Sequence, residues 1–462
     1  MTNRLRALCK VVEFASMLNT ASLSLEQAPP ISIPFRFFLT APLFGIVSGF
    51  LVLFYGETPF VSRWSPLMLG LTHMMTLGFL TMVMCGAMLQ MLPVIAGSPV
   101  PHVVMVGASL HVLLVLGTLA LVLAFLTGTP LIMLIALVAI GVGLCAFIAA
   151  VTIAQLRVIS SGATVGGMKL AVSALLLTLL LGSIAALGYA GIIRIPNLAI
   201  LADAHLGWGL LGWMGLLLIS VSFQLVPMFQ VTPEYPDWVK RFLPWMIFVA
   251  LLIWLLLRSG WIVAAWISLL ALLVLMVVVF GFTLFSIYTL LLQSRRKRRV
   301  PDVTLLFWRL GMILLAGSAL FWLSGVLFPP VREAQYFSIL LGIGLVQGVV
   351  LSVVNGMLYK IVPFLCWFHL QNRQMNLMCM MVRIPNMKEF VTDRAAKRQF
   401  YLHLSAFLFS AAAAVMPLWF SRPAALLFIA SNLLLLINLF LAVGRFRATF
   451  RLLEPTTQES VC

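Results

Sequence analysis

Twelve apolar runs of about 20 residues, parted by short breaks, fill nearly the whole chain and leave it few ways to fold. They lie near 34–56, 66–95, 101–126, 129–156, 167–190, 202–229, 242–258, 261–292, 303–328, 336–366, 400–418 and 423–444. A helix of that length crosses a bilayer with each backbone N–H and C=O satisfied inside the segment. A transmembrane barrel needs strands of about ten residues with alternating polarity, and continuous apolar runs exclude it. Only 9% of the residues are charged, against about 25% in soluble domains, so no soluble domain of any size is expected. The reading is an all-α membrane protein of 12 transmembrane helices, a single transmembrane domain over 1–462 in contact with the lipid bilayer.

The net charge of +17 is a topology signal in a chain that is 63% hydrophobic, and no nucleic-acid partner is expected. Lys and Arg collect in cytoplasmic loops of membrane proteins. With a cytoplasmic N-terminus, 22 of the 29 Lys and Arg fall inside, among them Arg36, Arg157, Lys240, the run Arg295 to Arg299, Arg445 and Arg447. Five fall outside: Arg63, Arg194, Arg258, Arg332 and Arg422. Segments 1–33, 367–399 and 445–462 are then cytoplasmic, as are both termini. The first 30 residues lack the sustained apolar core and cleavage site of a signal peptide.

One motif recurs three times. Residues 78–93 read GFLTMVMCGAMLQMLP, 212–227 read GWMGLLLISVSFQLVP and 348–363 read GVVLSVVNGMLYKIVP. Gly78, Gly212 and Gly348 align without gaps to Gln90, Gln224 and Lys360, and then to Pro93, Pro227 and Pro363. These fall in the second, sixth and tenth runs, so three pseudo-threefold-related four-helix units follow, roughly 34–156, 167–292 and 303–444. Each proline is expected to end its helix, since it cannot continue the hydrogen-bond ladder.

Twelve helices in three quartets, with HLGWGLLGWMGLLLISVSFQLVP at 205–227 and THMMTLGFLTMVMCGAMLQMLP at 72–93, resemble subunit I of the haem–copper oxidase superfamily. The chain is similar to cbb3-type-like stand-alone subunits, the NnrS-like group included. That resemblance implies a multi-pass protein of the bacterial inner membrane, b-type haem, and a respiratory or denitrification partner. The ligand set is degenerate. The seventh run lacks the family's adjacent His pair for copper, and the tenth lacks its HxH for both haems. Oxygen reduction and a copper site are therefore not expected.

His73 and His205 remain as candidate haem ligands, both near the outer ends of their helices. An ionisable group inside a membrane helix is a functional candidate, and neutral imidazole is a common axial ligand of haem iron. Arg63, Arg194 and Arg332 precede His73, His205 and Ile343 by 10 or 11 residues. Arg63 and Arg194 are thus candidates for pairing with haem propionates, although interfacial anchoring explains them equally. Asp203 is placed to orient His205 or to face water. Met84, Met88 and Met91 follow His73 on one face at 100° per residue. Gly207, Gly209, Gly212 and Gly215 follow His205 and leave room for a neighbouring helix or a flat macrocycle. His111 reads as a hydrogen-bonded core residue, and His102, His369 and His403 as interfacial. The loop 376–388 gathers Met and Cys, ligands that suit Cu(I), or a plain surface cluster. Six scattered cysteines with no CxxC indicate no zinc cluster or covalent haem.

The expected function is haem-linked electron transfer or nitric oxide response. The alternatives are a transporter for copper or a small solute, and an accessory or assembly subunit of a respiratory complex.

Overall fold

A computed structural model describes residues 29–158, 162–258, 265–298, 300–378 and 381–453, and every regular element among them is helical. The N-terminal segment 1–28, residues 261–264 of the expected eighth span, Arg299, Cys9, Cys379, Cys462 and the tail from 454 lie outside the described residues.

Twelve long helices run through the described residues, joined by short helical turns and loops. They are α1 (Ser32–Tyr55), α2 (Pro66–Ala96), α3 (Val103–Thr127), α4 (Pro130–Leu156), α5 (Ala163–Tyr189) and α6 (Leu198–Gln230). Then come α7 (Asp237–Arg258), α8 (Ala265–Ser294), α9 (Val303–Leu327), α10 (Tyr336–Asn376), α11 (Asp393–Val415) and α12 (Pro417–Leu452). Eleven are long and apolar enough to cross a membrane, which makes the chain a multi-pass helical membrane protein. The exception is α11, whose first turns carry Asp393, Arg394, Lys397 and Arg398. Large apolar side chains such as Phe50, Leu116 and Phe440 lie more than half exposed around the bundle, as lipid contact requires.

Local sequence explains the helix ends. Ser65, Asn197, Asp302 and Thr392 each accept a hydrogen bond from a backbone N–H of the helix they precede. Gly97 and Gly128 close α2 and α3 in the left-handed conformation that glycine adopts without steric cost. The three prolines do not end their helices. Pro93, Pro227 and Pro363 all lie inside, and α10 runs on to Asn376. A proline removes one ladder bond, and helix packing in a membrane protein tolerates that loss.

Each of α2, α6 and α10 changes to π-helix for eight residues: Met74–Thr81, Trp208–Gly215 and Gly344–Leu351. Gly78, Gly212 and Gly348 hold the fifth position of their segments. A Cβ on them would come within 2.4 Å of Phe44, 3.0 Å of Ala174 and 2.8 Å of Leu314, so each glycine admits a side chain from α1, α5 or α9. Helix contacts recur in the same cycle. The first helix of each quartet packs on its second, the third on the fourth, and the fourth on the first of the next quartet, with α12 returning to α1. Between α2, α6 and α10 lies an apolar cavity of about 50 Å³, walled by Val94, Met228 and Phe364 at matching positions of the three helices.

Candidate functional site

The even-numbered helices begin at one end of the bundle, termed upper here. His73 ends the α-helical opening turns of α2, immediately before the π segment, and His205 stands in the same part of α6. The two imidazoles meet. Their ring centroids are 6.0 Å apart and their planes lie within 15° of parallel.

Each ring is oriented by a backbone carbonyl. His73 Nδ1 donates to Leu69 O at 2.8 Å, and His205 Nδ1 donates to Thr178 O of α5 at 3.0 Å. A neutral imidazole that donates through Nδ1 carries its lone pair on Nε2, so both residues hold the tautomer of an Nε2 metal ligand. Two imidazoles bound through Nε2 to one metal at about 2.0–2.1 Å each set their ring centres roughly 6 Å apart. The centroid separation is close to that span.

The surroundings come from two further helices, α3 and α5. Phe125 of α3 lies 5.3 Å from the His73 ring, and Tyr189 of α5 packs edge-on to Phe125. Gly182 of α5 makes room for His205, since a Cβ there would lie 2.5 Å from Cε1 of the ring. No sequence pattern singled out Gly182, Thr178 or Phe125, because they reach the histidines from other helices, α5 and α3.

The other candidates separate from the pair. Arg63 forms an ion pair with Asp203 at 2.9 Å, so Asp203 neither orients His205 nor faces water alone. Arg194 is exposed and joins no ion pair among the described residues. Met84 and Met88 are buried in the core and Met91 borders the axial cavity. The π segment between His73 and these methionines breaks the 100° periodicity that aligned them with His73. The glycines after His205 accommodate neighbouring helices: Gly207 faces Trp254, Gly209 Thr178, Gly212 Ala174 and Gly215 Phe282.

His111 is hydrogen-bonded, 2.9 Å from Thr40 Oγ1 and edge-on to Phe37. His102 is exposed at the start of α3. His403 is not interfacial. It is 1% exposed, 2.8 Å from Ser352 Oγ and against Phe307, because α11 begins ten residues earlier at Asp393. His369 likewise lies within the extended α10. Lys360 pairs with Asp302 at 3.4 Å. Among the described residues no three His, Cys, Asp or Glu side chains form a metal-binding group.

No protein-family model matches the chain, and no curated protein matches it either.

Proposed function

We propose that the chain is a haem-binding membrane protein of the bacterial inner membrane, built as three four-helix units and carrying one b-type haem between His73 and His205. One observation carries the reading: two buried-facing imidazoles, from different quartets, converge at 6.0 Å with both Nδ1 atoms tied to carbonyls. Two protein donors suffice for haem because the porphyrin supplies the other four. A bare ion of the zinc type takes three or four protein ligands.

The repeated π segments and the recurring cycle of helix contacts support a threefold arrangement, with α11 as the twelfth span. In the superfamily the partner of the second-helix histidine comes from the tenth helix. Here it comes from the sixth, while the corresponding part of α10 carries Leu341 and Ile343. Both termini are assigned to the cytoplasm by the Lys and Arg bias.

A haem held by both His73 and His205 would favour electron transfer. A response to nitric oxide requires one imidazole to leave the iron. The test is a reduced-minus-oxidised absorption spectrum of protein purified from haem-replete cells. Sharp low-spin bands that disappear in a His73→Ala/His205→Ala variant are expected, and a featureless wild-type spectrum overturns the assignment.

A further inference from the structure

At the lower end of the bundle, where α1 and α3 begin and α12 ends, a half-open groove of about 510 Å³ lies between these three helices. Arg36 of α1, His111 of α3 and Arg447 of α12 face it, over a floor that includes Phe35 and Phe446. Among the described residues six basic side chains are each matched to a carboxylate, as Lys360 is matched to Asp302. Arg36 and Arg447 are not matched among the described residues, and Arg36 donates from Nε to the Ser32 carbonyl of its own helix. Two guanidiniums lining one groove carry like charge and repel each other. A shared anion converts that repulsion into attraction, and the guanidinium fork suits a phosphate.

The surface next to the groove narrows the choice of anion. On α1 the exposed Leu43, Val47 and Phe50 follow Arg36 on the same face. On α12 the exposed Leu433, Ile437 and Phe440 precede Arg447 on the same face. Each arginine thus heads an apolar track running toward the middle of its helix. A free phosphate uses the guanidiniums alone, whereas a phospholipid uses both guanidiniums and tracks.

We propose that this groove binds an anionic phospholipid, its phosphate shared by Arg36 and Arg447, with His111 as a further polar contact and the acyl chains along the two tracks. Basic pockets between membrane helices are suited to such headgroups. The site is separate from the imidazole pair and does not depend on haem.

The test uses the full chain, delipidated in detergent and titrated with phosphatidylglycerol, with phosphatidylcholine and inorganic phosphate as parallel arms. Native mass spectra and thermal unfolding report binding. Phosphatidylglycerol is expected to bind at least about tenfold more tightly than phosphatidylcholine and to resist inorganic phosphate at equal concentration. Arg36→Gln/Arg447→Gln is expected to weaken phosphatidylglycerol on the order of ten- to a hundredfold. Arg36→Lys/Arg447→Lys keeps the charge without the fork and retains part of the affinity, which guards against a misfolded glutamine variant. Equal binding of the two lipids, or unchanged binding in both variants, overturns the proposal. Competition by phosphate at equal concentration overturns the lipid assignment in favour of a soluble anion.

Discussion

The Trp213 indole donates through Nε1 to Thr81 Oγ1 at 3.2 Å, and both residues are almost fully buried. Trp213 stands eight residues after His205, and Thr81 stands eight residues after His73. Two contacts at equal spacing mean that α2 and α6 run parallel and side by side, with the imidazole pair above and the indole bond about 12 Å below it. The register of this contact is 132 residues, whereas the sequence repeat is 134. Residues that face each other across two neighbouring units need not occupy the same repeat position. That is why His73, which aligns with Gly207, meets His205 instead.

The indole bond gives the first prediction. Trp213→Phe keeps most of the buried aromatic volume and removes the donor. The Thr81 hydroxyl then loses its partner on α6 and turns to its own helix, so the net loss is about 1 kcal/mol. Thermal unfolding in detergent measures it. The same variant loosens α6 against α2, and a small broadening of any haem band is the accompanying readout.

Gly182 gives the second. A methyl group at 2.5 Å from His205 Cε1 cannot be accommodated without moving the ring. The ring then loses the Thr178 carbonyl that fixes its tautomer. Gly182→Ala is expected to destabilise the protein by roughly 1–3 kcal/mol and to lower haem occupancy. Gly141→Ala is the matched control, since a Cβ there meets no atom within 4 Å. It should be neutral or stabilise by up to about 1 kcal/mol. Equal effects of the two substitutions would remove Gly182 from the site.

The third concerns Arg63 and Asp203. The pair is about one-third exposed on both sides, so solvent and salt weaken it. A double-mutant cycle of Arg63→Gln and Asp203→Asn should give a coupling of about 0.2–1 kcal/mol that shrinks as ionic strength rises. Arg194→Gln, at an exposed position, should change stability by less than about 0.5 kcal/mol.

The helices were legible because membrane insertion leaves a blunt signal: a run of apolar residues either spans the hydrocarbon or does not. The aligned Gly78, Gly212 and Gly348 were legible as a motif, and each admits a side chain from a neighbouring helix. Of the candidate site, only the two histidines were legible. His73 and His205 stand out as imidazoles in apolar helices, but Thr178 and Gly182 serve His205 from α5, through a carbonyl and a missing methyl group. Neither leaves a mark in a single sequence. Arg63 has a partner that the sequence leaves unmarked, because the carboxylate of Asp203 lies 140 residues away along the chain. The methionine face failed for a different reason. Extrapolating 100° per residue from His73 assumes an unbroken α-helix, and eight π-helical residues intervene.

The last prediction separates electron transfer from gas binding at the imidazole pair. If His73 and His205 held a haem iron through both Nε2 atoms, that haem would be low-spin, and a diatomic gas would have to displace an imidazole already held by its carbonyl. His205→Ala removes one ligand and leaves His73 in its place on α2. The expected product is a five-coordinate, high-spin haem that takes up carbon monoxide or nitric oxide readily, whereas the wild type does so slowly or not at all. His205→Met keeps six ligands, and a thioether in place of one imidazole is expected to raise the reduction potential. The two substitutions thus move different observables, spin state in one and potential in the other, if both histidines touch the iron. A His205→Ala protein whose spectrum and gas affinity match the wild type would exclude His205 from the iron and with it the electron-transfer reading.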